Sequence, residues 1–254
     1  MITTIQIRNL SFHYTGEERL VLQGVDARIG GDQIVAVLGN NGSGKTTLLL
    51  MLLQRLLPQQ GEISFLGEDG VIGTHLRIGY LPQIEKVPFG FTTQEYILMG
   101  RFPWIERFHM PEKADQDKVY EVMQELDILH MARKHLKDVS GGELQKVRIA
   151  RMLAQDPDLF LMDEPANHLD LKNRVELLKI IKKLKEDKKI VIFTTHDPND
   201  AVEIADRVLL MRQGQKIAFG ETRRVLNQQT LQETFDIPIT IRMVKRKPYI
   251  LSGG

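Results

Sequence analysis

A glycine-rich run near residue 40 has the residue types and spacing that suit it to bind phosphate. It matches the pattern G-x-x-x-x-G-K-[ST], with an apolar segment before it and a helical pattern after it. Its glycines let the backbone curl, so that successive N–H groups point at phosphate oxygens beside a helix N-terminus. The residues predicted to bind the phosphates are Gly39, Asn40, Asn41, Gly42, Ser43, Gly44, Lys45, Thr46 and Thr47. Within this run, Lys45 is expected to reach the β- and γ-phosphates, and the Thr46 hydroxyl to bind Mg²⁺.

Two neighbouring carboxylates, Asp163 and Glu164, follow a second apolar run at 159–162. A buried strand would deliver them at its carboxyl end, where α/β proteins bind their ligands. Asp163 is then a candidate for holding Mg²⁺. Glu164 is expected to point elsewhere, because strand side chains alternate. We interpret Glu164 as a candidate general base for an attacking water; the alternative is an Asp-Glu-Pro turn that caps the next element.

A third motif combines a helix start with two glycines, at Ser140, Gly141, Gly142 and Glu143. Serine is a favoured N-cap, and a glutamate three residues later completes a capping box. The residues by themselves therefore predict a well-capped helix that begins at Ser140.

These motifs require a particular set of secondary-structure elements to position them. Short continuous apolar runs at 33–38, 159–162 and 190–194 predict buried strands, and an amphipathic pattern at 171–184 predicts a helix between the last two. Such alternation favours a parallel sheet with crossover helices. Period-two patterns at 5–12 and 21–29 predict antiparallel strands, residues 92–154 carry helical periodicity, and residues 237–241 predict an edge strand.

The run from Val139 to Gln145 resembles the signature of ABC ATPases, which usually reads Leu-Ser-Gly-Gly-Gln. With the phosphate loop upstream and Asp-Glu downstream, the resemblance covers nearly the whole chain. It implies an α/β fold with a P-loop NTPase core around a parallel sheet, an N-terminal antiparallel β subdomain and a helical insert. One domain would span residues 1–254, with a RecA-like core at 1–83 and 155–254 and a helical subdomain at about 84–154.

The resemblance also assigns roles to residues that no spacing rule singles out. Tyr14 would stack on adenine, Gln83 would contact Mg²⁺ and the attacking water, and His196 would contact the γ-phosphate. Asp170 would end a loop between two nucleotide sites. Because the Ser140–Glu143 signature of such proteins closes over the phosphates held by a second copy, the resemblance implies a homodimer that binds and hydrolyses ATP with Mg²⁺.

The chain departs from the common family pattern in its signature and in the loop between the sites. Val139 replaces leucine, Glu143 replaces glutamine, and the loop reads Asn-His-Leu-Asp at 167–170 where Ser-Ala-Leu-Asp is commoner. None of these changes removes a phosphate or metal ligand. We therefore expect both sites of a homodimer to be active.

Composition limits the remaining function classes. The formal net charge of +1 gives no overall basic field for nucleic acid, and the absence of cysteine excludes disulfides and thiolate chemistry. No apolar run approaches the roughly 20 residues that a membrane-spanning helix needs, and the N-terminus lacks the pattern of a signal peptide. We expect a cytoplasmic protein that is peripheral on the inner face of the cell membrane, held there by a permease.

The stretch from Met99 to Pro103 resembles ATP-binding subunits of metal-chelate importers, those for iron-siderophores, haem and cobalamin. The resemblance implies a separate membrane permease and an extracytoplasmic substrate-binding protein as partners, with no direct contact to nucleic acid. Phe102, Trp104 and Ile105 are expected to contribute an apolar patch for the permease, or else to pack within the insert. Alternatives are a free metal ion or oxyanion as cargo, an exporter, an assembly scaffold, and a soluble ABC ATPase that acts on nucleic acid or the ribosome.

Overall fold

The chain folds as three β-sheets and eight α-helices in the parts that the computed structural model describes, which are residues 2–16, 19–68, 70–71, 76–86, 90–106, 108–185, 189–244 and 247–253. The strands are β1 Thr4–Phe12, β2 Leu22–Gly30, β3 Ile34–Leu38, β4 Gln60–Gly67, β5 Gly70–Val71, β6 Ile78–Leu81, β7 Leu159–Met162, β8 Ile190–Thr195, β9 Arg207–Arg212, β10 Gln215–Glu221, β11 Ile239–Val244 and β12 Lys247–Ser252. The helices are α1 Lys45–Leu52, α2 Thr93–Leu98, α3 Lys113–Glu125, α4 Gly141–Ala154, α5 Leu171–Leu184, α6 Pro198–Ile204, α7 Thr222–Val225 and α8 Gln228–Phe235.

The central sheet has the strand order β10-β9-β3-β8-β7-β6. The five strands from β9 to β6 pair in parallel, and β10 closes the edge as an antiparallel hairpin with β9. Every residue of β3, β7 and β8 is buried, as expected for strands covered on both faces. The prediction of a mostly parallel α/β sheet is confirmed.

Two hydrophobic layers cover the faces of this sheet. On one face, α1 packs with the antiparallel N-terminal sheet, whose order is β2-β1-β4-β5, through residues such as Ile5, Leu22 and Leu49. On the other face, residues of α2 to α6 form the larger cluster, including Ile97, Val147 and Ile181. The carboxyl ends of β3, β7 and β8 therefore open between a β layer and a helical layer.

The segment between β6 and β7 is helical, as the sequence predicts. It contains α2, α3 and α4 together with 3₁₀ helices at Met99–Trp104, Leu129–Met131 and Leu136–Asp138. Helix α4 starts after Ser140, whose side chain accepts a hydrogen bond from the Glu143 N–H. Among the described residues, no helix has both the length and the apolar character needed to cross a bilayer.

The C-terminal part contains the predicted strand as β11, but this strand lies in a small sheet of its own. Strands β11 and β12 pair with each other as a separate two-stranded sheet. Asn199 of α6 ties this hairpin to the core, because its amide donates to the Ile250 carbonyl (3.0 Å) and accepts from the Ile250 N–H (2.9 Å). The alternating pattern at 237–241 is the same for an edge strand and for a hairpin, so the pattern did not reveal the partner strand.

Candidate active site

The glycine-rich loop joins β3 to α1 and is shaped by two tight glycines. Gly44 has φ +98°, and a Cβ on it would lie 2.7 Å from the Val21 carbonyl oxygen; a Cβ on Gly39 would lie 2.2 Å from the Met211 carbonyl oxygen. A larger residue at either position would displace main chain, since real Cβ atoms do not approach so closely. These two glycines let the loop pass close to β2 and β9 and deliver Lys45 at the first position of α1.

Lys45 is buried at the centre of the site. Its Nζ donates to the carbonyls of Gly39 (2.9 Å) and Asn40 (3.1 Å), and it lies 3.7 Å from Glu164 Oε1. Burial lowers the pKa of Lys45, while Glu164 and Asp163 raise it in part. The ammonium therefore lies in a poorly hydrated place, where a phosphate would interact with it more strongly than in open water.

Asp163 lies between two hydroxyl groups. Thr46 Oγ1 donates to Asp163 Oδ2 (2.8 Å), and Thr194 Oγ1 of β8 donates to Asp163 Oδ1 (2.6 Å). Hydroxyl and carboxylate oxygens suit Mg²⁺, which proteins commonly bind through one or two carboxylates together with substrate phosphates. Thr46 and Asp163 therefore fit the metal that the sequence predicts.

The Ser43 hydroxyl is buried without a hydrogen-bond partner among the residues that the structure describes. Buried polar groups are normally paired, so an orphaned one calls for a ligand or a role. Its position in the phosphate-binding loop makes a phosphate oxygen a suitable acceptor.

Glu164 and Asp163 both lie beside the phosphate loop, and their carboxylates accept hydrogen bonds from different residues. Strand β7 ends at Met162, and Glu164 has φ +45°, in the left-handed region. Strand alternation therefore does not extend to it. The Glu164 N–H donates to Thr194 Oγ1 (2.8 Å), which holds this main-chain conformation.

Three side chains converge on one carboxylate oxygen of Glu164. Gln83 Nε2 donates to Oε2 (3.2 Å), Asn167 Nδ2 donates to it (3.1 Å), and His196 Nδ1 lies 3.4 Å away. The structure thus brings together the predicted Gln83, Glu164 and His196 from three separate segments. Asn167 and Thr194 are contacts that the sequence analysis missed, since single polar residues carry no diagnostic spacing.

A cavity of about 470 Å³ opens over this cluster. Its lining includes Lys45, Thr46, Gln83, Glu164 and Tyr14. The Tyr14 ring is partly exposed, rests edge-on against Phe12 (5.0 Å between centroids) and is hydrogen-bonded through its hydroxyl to Thr47 Oγ1 (3.2 Å). An exposed aromatic face beside a phosphate loop is suited to stacking on a base.

Arg174 of α5 fixes the loop that carries His196. Its guanidinium donates to Asp200 Oδ1 (2.8 Å) and contacts Asp197. Burial raises the pKa of Asp200, whereas for Asp197 the opposing hydrogen bonds from Arg174 and the Asn199 N–H outweigh burial and lower the pKa. The loop after β8 is thus cross-linked to α5, a feature that no sequence pattern indicated.

The signature and Asp170 form a second cluster, and none of them is among the described residues that line the cavity over Lys45. Asp170 caps α5 by accepting from the Asn173 N–H (2.8 Å), and it also accepts from Asn173 Nδ2 (2.9 Å). A Cβ on Gly142 would lie 2.3 Å from that same Nδ2. The starts of α4 and α5 are therefore in close contact, apart from the cluster around Glu164.

Glu143 completes the capping box at the start of α4. Its Oε2 accepts from the Ser140 N–H (2.9 Å) and the Ser140 hydroxyl (2.8 Å), and it lies 3.4 Å from Lys134 Nζ. These bonds, the one from the Ser140 N–H foremost, lower the pKa of Glu143 to about 2. Gly141 has open space where a Cβ would stand, so the first turn of α4 presents its main chain outward.

Comparison with known proteins identifies relatives along nearly the whole chain. A family model described as ABC transporter matches residues 22–167. The chain is 35% identical over 240 residues to the molybdate import ATP-binding protein MolC of Haemophilus influenzae, covering 94% of this chain and 90% of that protein. It is also 35% identical over 234 residues to the hemin import ATP-binding protein HmuV of Nocardia farcinica, covering 89% of this chain and 80% of that protein. A solved structure of a metal-chelate type ABC transporter in an inward-facing conformation superposes with a TM-score of 0.88 at 32% identity, over 100% of this chain and 98% of that one.

Proposed function

Because the chain belongs to the ABC transporter family, we propose that it hydrolyses ATP between two paired copies and thereby drives import through a separate membrane permease. It is an ABC-type ATPase, the ATP-binding subunit of an import system. The residue roles, the pairing, the permease and the cargo belong to the proposal. The observation that carries it is the cavity lined by Lys45, Thr46, Gln83 and Glu164, with Asp163 bonded to Thr46 and His196 beside Glu164.

In this proposal the cavity binds ATP along its length. Tyr14 stacks on the adenine, the amides of residues 39–47 and the Ser43 hydroxyl hold the phosphates, and Lys45 pairs with the β- and γ-phosphates. Thr46, Asp163 and Gln83 hold Mg²⁺, which neutralises phosphate charge when bound. Lys45 gives up its hydrogen bonds to the Gly39 and Asn40 carbonyls and gains a charged acceptor instead.

Glu164 is the general base of the proposed hydrolysis. Its carboxylate accepts a proton from the water that attacks the γ-phosphorus, while Gln83 orients that water and His196 donates to a γ-phosphate oxygen. A positioned general base typically contributes about 10²–10⁴-fold in rate. The three side chains that share Glu164 Oε2 hold the carboxylate in one orientation, which supports this role.

The second copy supplies what the cavity lacks. Ser140, Gly141, Gly142 and Glu143 lie at a helix N-terminus, where amides and the helix dipole favour an anion. Since these residues do not line the cavity over Lys45 in their own chain, we assign them to the γ-phosphate of the partner copy. Asp170 would then stand between the two sites of a two-fold dimer.

A groove of about 420 Å³ beside the helical segment is a suitable place for a permease helix. Its walls include Leu53, Tyr80 and Met99. Phe102 and Trp104 are nearby in sequence to Met99 and are largely exposed, at 59% and 44%. Trp104 also packs within the insert, because its Nε1 donates to the Gln155 carbonyl (2.9 Å) and its ring faces Arg101. The groove also contains Arg55 and Arg151, so the apolar part of the surface is the exposed Phe102 and Trp104, and it supports docking of a partner at the inner face of the membrane.

For the cargo we propose a metal chelate. The sequence resemblance at Met99–Pro103 supports it, and so do the hemin-importing relative and the metal-chelate type structural neighbour. The molybdate-importing relative keeps an oxyanion as the second candidate. Cargo contacts would lie in the permease and in an extracytoplasmic binding protein, so the cassette itself offers no site that separates the two.

Replacing Glu164 with glutamine tests the proposal. We expect ATP binding to remain, the hydrolysis rate to fall by about 10²-fold or more, and a stable dimer to form with ATP and Mg²⁺. Sedimentation with and without ATP reports the dimer, and phosphate release reports the rate. Glu203→Gln, which neutralises an exposed carboxylate on α6, is the control and should behave like the wild type.

The same Glu164→Gln protein, tagged and incubated with native membranes, tests the transport role. Recovery of a polytopic membrane protein supports import, and the chemistry of its relatives' cargo decides between chelate and oxyanion. Recovery of ribosomes or DNA-bound material without a permease would overturn the import proposal and favour the soluble alternative. Trp104→Asp should reduce recovery of the permease without changing the ATPase rate.

A further inference from the structure

Helix α4 touches the core main chain at two places, each next to a residue of the proposed hydrolytic machinery. Arg148 Nη2 donates to the carbonyl of Pro82, which precedes Gln83. Gln145 Nε2 donates to the carbonyl of Pro165 (2.7 Å), which follows Glu164. Arg148 Nη1 in turn donates to Gln145 Oε1 (2.8 Å), so the two side chains act as one unit.

The contact between Gln83 and Glu164 closes these bonds into a ring. Its members are Pro82, Gln83, Glu164, Pro165, Gln145 and Arg148, and every non-covalent link is a hydrogen bond. We refer to these six residues as the hydrolysis ring. Gln145 and Arg148 belong to α4, the helix that follows Ser140. The other four members belong to the two loops that carry Gln83 and Glu164.

We propose that Arg148 and Gln145 are positioning residues that set the separation of Gln83 from Glu164, so that movement of α4 reaches the site of hydrolysis. The proposal rests on the roles given above to Gln83 and Glu164. When the first turn of α4 engages the phosphate of a partner copy, the same helix carries Arg148 and Gln145 with it. The carbonyls of Pro82 and Pro165 follow, and the Gln83–Glu164 contact changes with them.

The two positioning side chains are sheltered enough for their bonds to hold geometry. Gln145 is 9% exposed, and the side chain of Arg148 is 11% exposed. Hydrogen bonds from a charged group in such a place are stronger than neutral ones in water. The guanidinium is also a rigid fork that reaches three acceptors together, which a lysine ammonium does not match. Without the rigid Arg148 guanidinium, the loop that carries Gln83 and the loop that carries Glu164 could move apart.

Glu85, the third acceptor of Arg148, has other partners, so the fold should tolerate replacement of Arg148. Arg148 Nε donates to Glu85 Oε2 (3.1 Å), but Glu85 also pairs with Arg151 Nη1 (2.6 Å) and accepts from the Tyr96 hydroxyl (2.9 Å). Removing Arg148 therefore leaves Glu85 with a cation and a hydroxyl. The severe destabilisation expected for an isolated buried charge does not apply.

The test combines Arg148→Met with a matched control on the same helix. Methionine keeps the apolar stem of the side chain and removes the fork. Lys146→Met removes the same charge from α4 but breaks an ion pair to Glu176 (2.6 Å) that lies outside the hydrolysis ring. We expect Arg148→Met to lower kcat about tenfold with KM changed less than about twofold, because positioning errors act on the reaction rather than on binding. Lys146→Met should leave both constants near the wild-type values.

A double-mutant cycle with Gln83→Ala separates positioning from general structural damage. If Arg148 acts through Gln83, then adding Arg148→Met to Gln83→Ala should lower kcat by less than about twofold further. Arg148→Lys should recover part of the loss, since it restores one donor. A full multiplicative loss in the Gln83→Ala background would overturn the proposal, and so would equal effects of Arg148→Met and Lys146→Met.

Two comparisons keep the outcomes distinct. If Gln83→Ala and Glu164→Gln both hydrolyse ATP at the wild-type rate, the catalytic roles proposed for Gln83 and Glu164 are wrong. If both are impaired while Arg148→Met is normal, the positioning role alone is wrong. Should Arg148→Met have a lowered melting temperature, Arg148→Lys carries the test: normal KM with reduced kcat supports the proposal, and wild-type kcat contradicts it.

Discussion

Glu143 is the residue where this chain differs in charge from the signature that it resembles. Its carboxylate accepts from both the N–H and the hydroxyl of Ser140, so the donors that would face a partner's phosphate are engaged within the chain. The nearby Lys134 offsets part of the negative charge. The capping box therefore stabilises the helix start and at the same time competes with the anion that the start is proposed to bind.

The first prediction concerns how Glu143 links stability to pH. Its pKa falls from 4.5 to about 2 in the folded chain, so its contribution to stability is present above the unfolded value and is lost as pH falls toward about 2. Glu143→Gln lacks this contribution at every pH. The gap in unfolding free energy between the wild type and Glu143→Gln should therefore stay constant above about pH 5 and narrow as the pH falls below it.

Urea unfolding at a series of pH values measures this gap. Glu203→Gln, which removes an exposed carboxylate from α6, provides a control for the loss of one carboxylate on a helix. Since Glu143 is about a third exposed, solvent screening keeps the effect modest. A gap that widens on acidification would contradict the assignment of Glu143 as an ionised cap.

Among the site residues, those that form part of a recognisable sequence motif could be predicted from the sequence. Lys45, Thr46, Asp163 and Glu164 follow from the phosphate loop and the acidic strand end, and the structure brings them together. Thr194, Asn167, Gln145 and Arg148 could not be predicted, because each is one polar residue whose partner is distant in sequence. The contact of Glu164 with Lys45 could not be derived from strand alternation, because alternation stops where the backbone turns left-handed.

The elements follow the sequence patterns closely where periodicity is strong. Helix α5 has the bounds that its amphipathic pattern predicts, and β3, β7 and β8 are the buried strands expected from their apolar runs. The β11–β12 hairpin could not be foreseen, since pairing depends on contacts that one strand's pattern does not contain. The limits near residues 84 and 154 for a helical subdomain remain a prediction.

The second prediction concerns the clamp that Asn199 makes on this hairpin. Asn199→Ala removes two hydrogen bonds to the main chain of Ile250. We expect the free energy of unfolding to fall by about 1–3 kcal/mol, at about 0.5–1.5 kcal/mol for each bond, and amide exchange at 247–252 to accelerate. Hydrogen exchange read by mass spectrometry locates the effect.

The matched control is Glu203→Gln, which breaks an exposed ion pair between α6 and Lys247 of β12. An exposed pair contributes about 0–1 kcal/mol, so this change should leave the exchange rates nearly unaltered. Equal acceleration in both variants would show that the charge pair, rather than the amide clamp, holds the hairpin. Uniform exchange changes across the whole chain would likewise contradict a local clamp.

In the proposed dimer, each ATP lies between the site around Lys45 of one copy and the Ser140–Glu143 signature of the other. In that dimer the site around Lys45 would supply one ammonium and main-chain amides, next to the Asp163 and Glu164 carboxylates, whereas the facing signature would carry the anionic Glu143. A phosphate between the two copies would be attracted by Lys45 and the loop amides on one side. On the other side it would be attracted by the N-terminus of α4 and repelled by the Glu143 carboxylate. The affinity of the two copies for each other should therefore be sensitive to this one charge.

The third prediction is that Glu143→Gln, in a Glu164→Gln background, tightens the ATP-dependent dimer. Glutamine keeps a carbonyl that can accept from Ser140 and removes the charge that repels phosphate. We expect the dimer dissociation constant to fall about fivefold, equivalent to roughly 1 kcal/mol for a partly exposed charge. Sedimentation equilibrium with ATP and Mg²⁺ measures it, with Glu176→Gln as the control for net charge. An unchanged or weaker dimer would place Glu143 away from the nucleotide.

The hydrolysis ring has a consequence for how such cassettes can be recombined. Both bonds from α4 to the core end on main-chain carbonyls, those of Pro82 and Pro165, and every amino acid carries a carbonyl. The connection therefore places no demand on the side chains of the core. A chimera that takes residues 84–154 from this chain keeps Gln145 and Arg148, and it closes the ring if the relative supplies a glutamine and a glutamate at the positions of Gln83 and Glu164. We therefore expect that the proposed permease specificity can be exchanged as a module while the proposed coupling to hydrolysis is retained.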